Sequence, residues 1–220
     1  MIENFTVHEK TPKKKRYVLK YIAPILLKLS GFRIKGSFPN NERTVLIAVP
    51  HTSFYDMYIM FLMVYTLGVD INYLAAKWIF TRIASPFRLY PDPDRQGIPW
   101  PLGFLQKKIF VRSGGIPVVR SRNKNQVPKI IDELNKKKAF NLVIAPEGGI
   151  TKNNTLRLGF IPIASELKAD VVPIQVDYKN KVFNFLPPLD QNVSKDTLLK
   201  NLMESFHGVV GKNKTYNAYE

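Results

Sequence analysis

The chain contains no cysteine. That absence removes disulfides, thiolate nucleophiles, covalent acyl-cysteine intermediates and cysteine zinc sites together. Histidine is scarce as well: His8, His51 and His207 lie far apart, form no short-spaced ligand cluster, and predict no metal site. Long apolar runs are also missing. A spanning helix needs about 20 predominantly apolar residues. Tyr17 to Leu29 is interrupted by Lys20, Pro24 and Lys28, and Met57 to Val69 is short and begins beside Asp56. No membrane span is predicted. The run Lys13 to Arg16 precedes no obvious small-residue cleavage site, so the N-terminus does not read as a cleavable signal. Negative charge is the last scarcity, with 17 Asp plus Glu against 33 Lys plus Arg and a net charge of +16. Such a field favours an anionic partner: nucleic acid, acidic lipid headgroups or a phosphorylated substrate.

What is present suits a globular α/β chain. At 220 residues and 45% hydrophobic, the sequence can bury one good-sized core. Residues 1–35 hold nine Lys/Arg against two Asp/Glu, a net of +7. They divide into a mobile basic arm over residues 1–16 and a helical stretch over 17–32, with Pro24 as a break. A basic amphipathic helix carrying Tyr17, Tyr21 and Phe32 suits the headgroup region of an anionic bilayer. The alternative is a helix packed on the domain with its lysines in water.

Residues 36–220 alternate strand and helix signals. Thr44 to Val49, Ile71 to Ala76, Phe140 to Ala145 and Val171 to Val176 are short apolar runs that predict buried strands. Ile109 to Val111 and Ile116 to Val119 add shorter β-like runs. Helices are expected over Phe54 to Leu67, closed by Gly68, and over Val127 to Lys138 and Gly159 to Leu167. A basic-aromatic helix is expected from Lys77. Residues 91–101 carry four prolines and predict a loop. The alternation implies a mostly parallel central sheet flanked by helices.

In such sheets ligands bind beyond the carboxyl ends of the strands. Three predicted strands lead there into unusual polar sequence: PHTSFYD at 50–56, GGIPVVR at 114–120 and APEGG at 145–149. His51 and Asp56 can meet only if the histidine stands before the helix and the acid lies in its first turn, with Ser53 as N-cap. The carboxylate would then orient the imidazole as a base. Equally, Ser53-x-x-Asp56 is a capping box that merely satisfies the helix start. From spacing, both readings stand. The apolar stretch from Met57 to Val69 is either core, or the wall of an acyl groove, or a helix that dips into lipid.

Taken in order, these segments resemble the glycerolipid acyltransferases, the family that includes lysophosphatidic acid acyltransferase. His51-Thr-Ser-Phe-Tyr-Asp56 matches the family's H-x-x-x-x-D motif. Gly115 to Arg120 resembles its second block, Ala145-Pro-Glu147-Gly148 its third, and Val172-Pro173-Ile174 its fourth, and Arg157-Leu-Gly159 through Ala164 resembles the stretch between the last two. The resemblance spans about residues 30–190. It implies that His51 is the general base toward an acceptor hydroxyl and that Asp56 orients it. It implies that Arg120 binds the acceptor phosphate and that Glu147 orders the pocket or the acceptor. Gly148 and Gly149 would bring backbone amides to an anion or oxyanion, and Lys77 loosely matches a basic position after the second strand. Without the resemblance, Arg120 is a surface arginine beside Arg122 and Lys124, Glu147 a polar turn and Lys77 a solvated lysine.

The implied reaction moves a fatty acyl group from acyl-CoA or acyl carrier protein to a lysophospholipid, 1-acyl-sn-glycerol 3-phosphate first, giving phosphatidic acid. Glycerol 3-phosphate or another lysolipid is the alternative acceptor. The acyl donor is a co-substrate, and no bound cofactor or metal is expected. The partner is an anionic membrane surface, met as a peripheral or monotopic protein on the cytoplasmic face. The competing class is a non-catalytic basic module for membrane or nucleic acid with a decayed site, although no nucleic-acid motif accompanies the charge. Two departures bear on the substrate. The third block commonly continues Gly-Thr-Arg, where this chain has Gly148-Gly149-Ile150-Thr151-Lys152, leaving Lys152 as a substitute. The span from Lys77 to Gly115 is also longer than usual.

Overall fold

The computed structural model describes residues 5–85, 87–120, 126–150 and 156–213. Its frame is a seven-stranded sheet in the order β1-β9-β8-β2-β7-β3-β6. The strands are β1 (Arg33–Lys35), β2 (Arg43–Val49), β3 (Asn72–Ala76), β6 (Gly115–Val118), β7 (Phe140–Ile144), β8 (Asp170–Asp177) and β9 (Val182–Phe185). All neighbours pair in parallel except β8 with β9, which are antiparallel. The expected mostly parallel sheet is therefore present. A separate antiparallel ribbon joins β4 (Arg82–Ile83) to β5 (Ile98–Pro99).

Strand alternation decides which core each residue enters. From β2, Leu46 faces the layer of α1 (Leu19–Ser30) and α2 (Phe54–Leu67), packing with Ala23, Leu27, Ile59 and Met63. Val45, Ile47 and Val49 face the opposite layer, formed by α4 (Val127–Asn135), α5 (Phe160–Leu167) and α6 (Lys195–Glu204). With both faces covered, the central strands are mostly apolar, with Thr44, Asn72 and Asn141 as buried polar residues at their starts.

Several local expectations need correction. Helix α1 runs through Pro24 instead of breaking there. Proline forgoes one ladder bond, and the burial of Ala23 and Leu27 against α2 carries the helix past it. From Phe5 onward the basic arm lies against the domain: Phe5 meets Phe38 and Phe185 edge-on, and the Arg16 guanidinium donates to the Val69 carbonyl at 2.8 Å. Residues 1–4 fall outside the described residues. The helix from Lys77 is a single 3₁₀ turn, Lys77–Phe80, because the chain then enters the β4 ribbon. Ile109 to Val111 is not β-like but the last part of α3 (Gly103–Arg112). A three-residue apolar window carries no periodicity, and only Phe110 of the three points inward, against Phe80.

No helix among the described residues is long and apolar enough to cross a membrane. Two glycines with positive φ test how the elements are joined. Gly114 (φ +99) leads into β6, and a Cβ there would sit 1.9 Å from the Ile71 carbonyl oxygen. Gly68 (φ +66) caps α2 with nothing within 4 Å. Gly68→Ala should cost about 1 kcal/mol, the left-handed penalty alone. Gly114→Ala should cost about 3 kcal/mol or more, since the β3–β6 junction must also shift. Urea denaturation of both variants, compared at equal m-value, checks this ordering.

Candidate active site

The carboxyl ends of β2, β6 and β7 bring the polar segments to one edge of the sheet. At the end of β2 the chain passes Pro50 and His51 to Ser53, whose extended backbone (φ −152) and side chain cap α2. Asp56 then lies in the first helical turn. Its Oδ2 accepts from the His51 Nδ1 at 3.0 Å and from the backbone amides of Thr52 and Ser53, both at 2.9 Å. Its Oδ1 accepts from the Tyr178 hydroxyl. The capping box and the His–Asp pair are thus one arrangement, not alternatives. With Nδ1–H held by the carboxylate, Nε2 is the nitrogen left to accept a proton.

Glu147 follows β7 and is 2% exposed. Its Oε1 accepts from the His51 backbone amide at 3.0 Å. Burial raises its pKa above the usual carboxylate range, and the bond from His51 opposes that rise. Its contact is therefore with the main chain of the histidine. Next to it, the Gly148 amide donates to the Ala145 carbonyl at 3.1 Å and closes a turn. Gly148 is required there. It has φ +70, and a Cβ would stand 2.4 Å from Nε of Arg157.

Arg157 is the residue that sequence reasoning left without a role. Its side chain packs over Gly148, and its charge lowers the pKa of half-buried Arg120. Burial is the larger cause of that lowering, and Asp94 works in the opposite direction. The Arg120 backbone amide donates to Asp94 Oδ1 at 2.5 Å, tying the end of β6 to the proline-rich loop. Lys152, expected as a substitute cation, lies outside the described residues, as do Arg122 and Lys124.

His51, Asp56, Arg120, Gly148, Gly149 and Arg157 line one cavity of about 980 Å³. Most of its wall is apolar, including Met57, Met60, Leu74, Phe160 and Ile163. Helix α2 divides between two of the roles weighed for it: Ile59, Met63 and Val64 are core, whereas Met57 and Met60 face the cavity. Lys77 is not brought to this cavity. It is exposed and lines a smaller recess of about 380 Å³ with Arg82, Asp92, Asp94 and Arg95, next door through shared Trp78 and Val119.

This arrangement provides an oriented base, a paired cationic end and a long apolar wall. No known family profile matches the chain, and no curated protein matches it.

Two substitutions probe the carboxylates. Tyr178→Phe removes one donor from a carboxylate that is 7% exposed, and should cost about 2 kcal/mol in urea unfolding. Glu147→Gln should change how stability depends on pH. Because Glu147 holds its proton more tightly folded than unfolded, wild-type stability gains from that proton in acid and loses the gain as pH rises through its titration above the usual carboxylate range. The wild-type advantage over Glu147→Gln should therefore shrink from acid to neutral pH. A constant difference would show that Glu147 folds with an ordinary pKa.

Proposed function

We propose that the chain is an O-acyltransferase that moves a fatty acyl group from an acyl thioester to the hydroxyl of a phosphate-bearing lysolipid. The expected acceptor is 1-acyl-sn-glycerol 3-phosphate and the expected donor acyl-CoA or acyl carrier protein. The observation that carries this reading is the His51–Asp56 pair, 3.0 Å apart, on the wall of a largely apolar cavity that Arg88, Arg120 and Arg157 also line. The four motif segments, in the order in which that family has them, add support.

In the proposed reaction the acceptor hydroxyl gives its proton to His51 Nε2 as its oxygen attacks the thioester carbonyl. Asp56 holds the opposite side of the ring and stabilises the imidazolium. The C–O ester bond forms, the C–S bond breaks, and the proton passes from His51 to the departing thiolate, giving an ester and a thiol. Arg120 and Arg157 would take the acceptor phosphate through charge-assisted hydrogen bonds. Burial chiefly lowers the Arg120 pKa, and anion binding would relieve the repulsion from Arg157 that adds to it. Glu147 acts through the histidine backbone as a positioning residue. A volume of about 980 Å³ is at the top of the usual ligand range of about 300–1,000 Å³, as acyl chains require.

The same reading makes the protein peripheral or monotopic, on the cytoplasmic face of an anionic membrane. Helix α1 supports this, since its outward side exposes Tyr21, Ile25 and Leu29 beside Lys20 and Lys28.

The test is acyl transfer in vitro across a panel of lysolipids. Wild type should acylate at least one phosphate-bearing acceptor, and His51→Ala should lose about 10³-fold or more in kcat. Equal product from both proteins would remove His51 from the mechanism. Arg157→Gln should raise KM for phosphate-bearing acceptors by about tenfold, with less effect on kcat.

A further inference from the structure

Residues 81–112 present an unusual surface. The β4–β5 ribbon sets Ile83 opposite Ile98, and both are exposed. Gly103 presses the start of α3 against this ribbon, since a Cβ there would sit 2.5 Å from the Thr81 carbonyl oxygen. The inward side of α3 is fixed by two residues one turn apart. Gln106 Nε2 donates to the carbonyls of Ile79 and Arg82 at 2.7 and 2.8 Å, and the Phe110 ring packs on Phe80. With that side anchored, Phe104 (59% exposed), Leu105, Ile109 (65%) and Val111 face outward. The preceding loop adds Phe87, 76% exposed, and Leu89.

A surface helix in water turns its polar side outward. On α3 the outward polar residues are Lys107, Lys108 and Arg112, all cationic, and the helix contains no acid. Residues 77–112 carry seven Lys/Arg against Asp92 and Asp94, and Asp94 is engaged by the Arg120 amide. Exposed aliphatic side chains interleaved with cations match the apolar boundary and anionic headgroups of a bilayer. The same segment supplies Ser85, Phe87, Arg88, Pro93 and Gln96 to the cavity wall, so whatever covers this surface borders the cavity.

We infer that residues 81–112 are a membrane-docking surface in addition to α1, inserting Phe104 and Ile109 into an anionic bilayer and setting the cavity mouth against it. The role given to the mouth, passage of lipid to and from the cavity, rests on the acyltransferase reading. The docking itself does not.

Because the chain has no cysteine, a single Phe104→Cys substitution accepts an environment-sensitive fluorophore at one place. Its emission should shift to the blue on vesicles of phosphatidylcholine with phosphatidylglycerol, and a Lys200→Cys label on α6 should stay unchanged. Separately, Phe104→Ser/Ile109→Ser, with α1 intact, should lower partitioning into those vesicles by about tenfold or more. The double variant should keep transfer to a short-chain, monomeric acceptor and lose it on vesicle-bound acceptor. A silent Phe104 label on vesicles, or undiminished partitioning of the double variant, overturns the proposal. So does sedimentation in which the double variant dissolves a dimer while vesicle binding is unaltered, since the occupant is then a second copy of the chain. The partitioning measurement needs no turnover, so an inactive protein that still docks would sink the catalytic reading alone.

Discussion

The site depends on how many donors converge on one carboxylate. Asp56 accepts from an imidazole, two backbone amides and a phenol, using both oxygens. A carboxylate 7% exposed needs such partners, and here they come from two distant pieces of the chain. The imidazole and both amides belong to the turn that leads from β2 into the N-cap of α2, and Tyr178 stands at the end of β8, where its ring meets Phe32 edge-on. Neutralising the helix start and fixing the histidine tautomer are therefore the same event. Glu147 complements this from the other side by holding the histidine main chain. One buried carboxylate orients the ring and the other locates the backbone that carries it.

This division explains what could be read in advance. The strands were legible because a sheet covered on both faces demands short continuous apolar runs, as in Thr44 to Val49 and Phe140 to Ala145. The start of α2 was legible because Ser53, Asp56 and Gly68 are local signals with fixed offsets. Elements of the chain's edge were not. Strands β1 and β9 are only three and four residues long, so no window there was long enough to carry a period, and α6 buries only Leu198 and Leu202. Helix α3 was lost for a physical reason. Its outward side interleaves apolar side chains with cations, which erases the amphipathic contrast that marks a surface helix.

The candidate site divides in the same way. His51 and Asp56 lie in one segment, and their meeting follows from capping geometry. Tyr178 and Arg157 reach the site by long-range packing, with Tyr178 122 residues from its partner, and no spacing rule finds such contacts. Arg157 had one faint signal, the need for glycine at 148. A glycine there reads as turn chemistry until the side chain occupying its Cβ position is known. Lys77 follows β3 just as Arg120 follows β6, but the 3₁₀ turn carries it into the neighbouring recess. Chain order places a residue at an edge of the sheet. Its last turn of backbone decides which recess it enters.

The arrangement of positive charge follows from these placements. The sequence after Gly148 continues as Gly149 and Ile150, with no arginine before Arg157. The guanidinium over Gly148 comes from Arg157, just before α5, so a cation stands beside the turn even though the local motif lacks one. Holding it near Arg120 costs repulsion, which Asp94 offsets in part from the proline-rich loop. Asp94 thus ties two things together, the charge balance of the cavity and the position of residues 81–112, because its carboxylate meets Arg120 from within that segment. A phosphate drawn to the two arginines would compete with Asp94 for the same field. In the proposed mechanism, Asp94 is therefore the residue at which the charge of the phosphate site and the position of the segment meet.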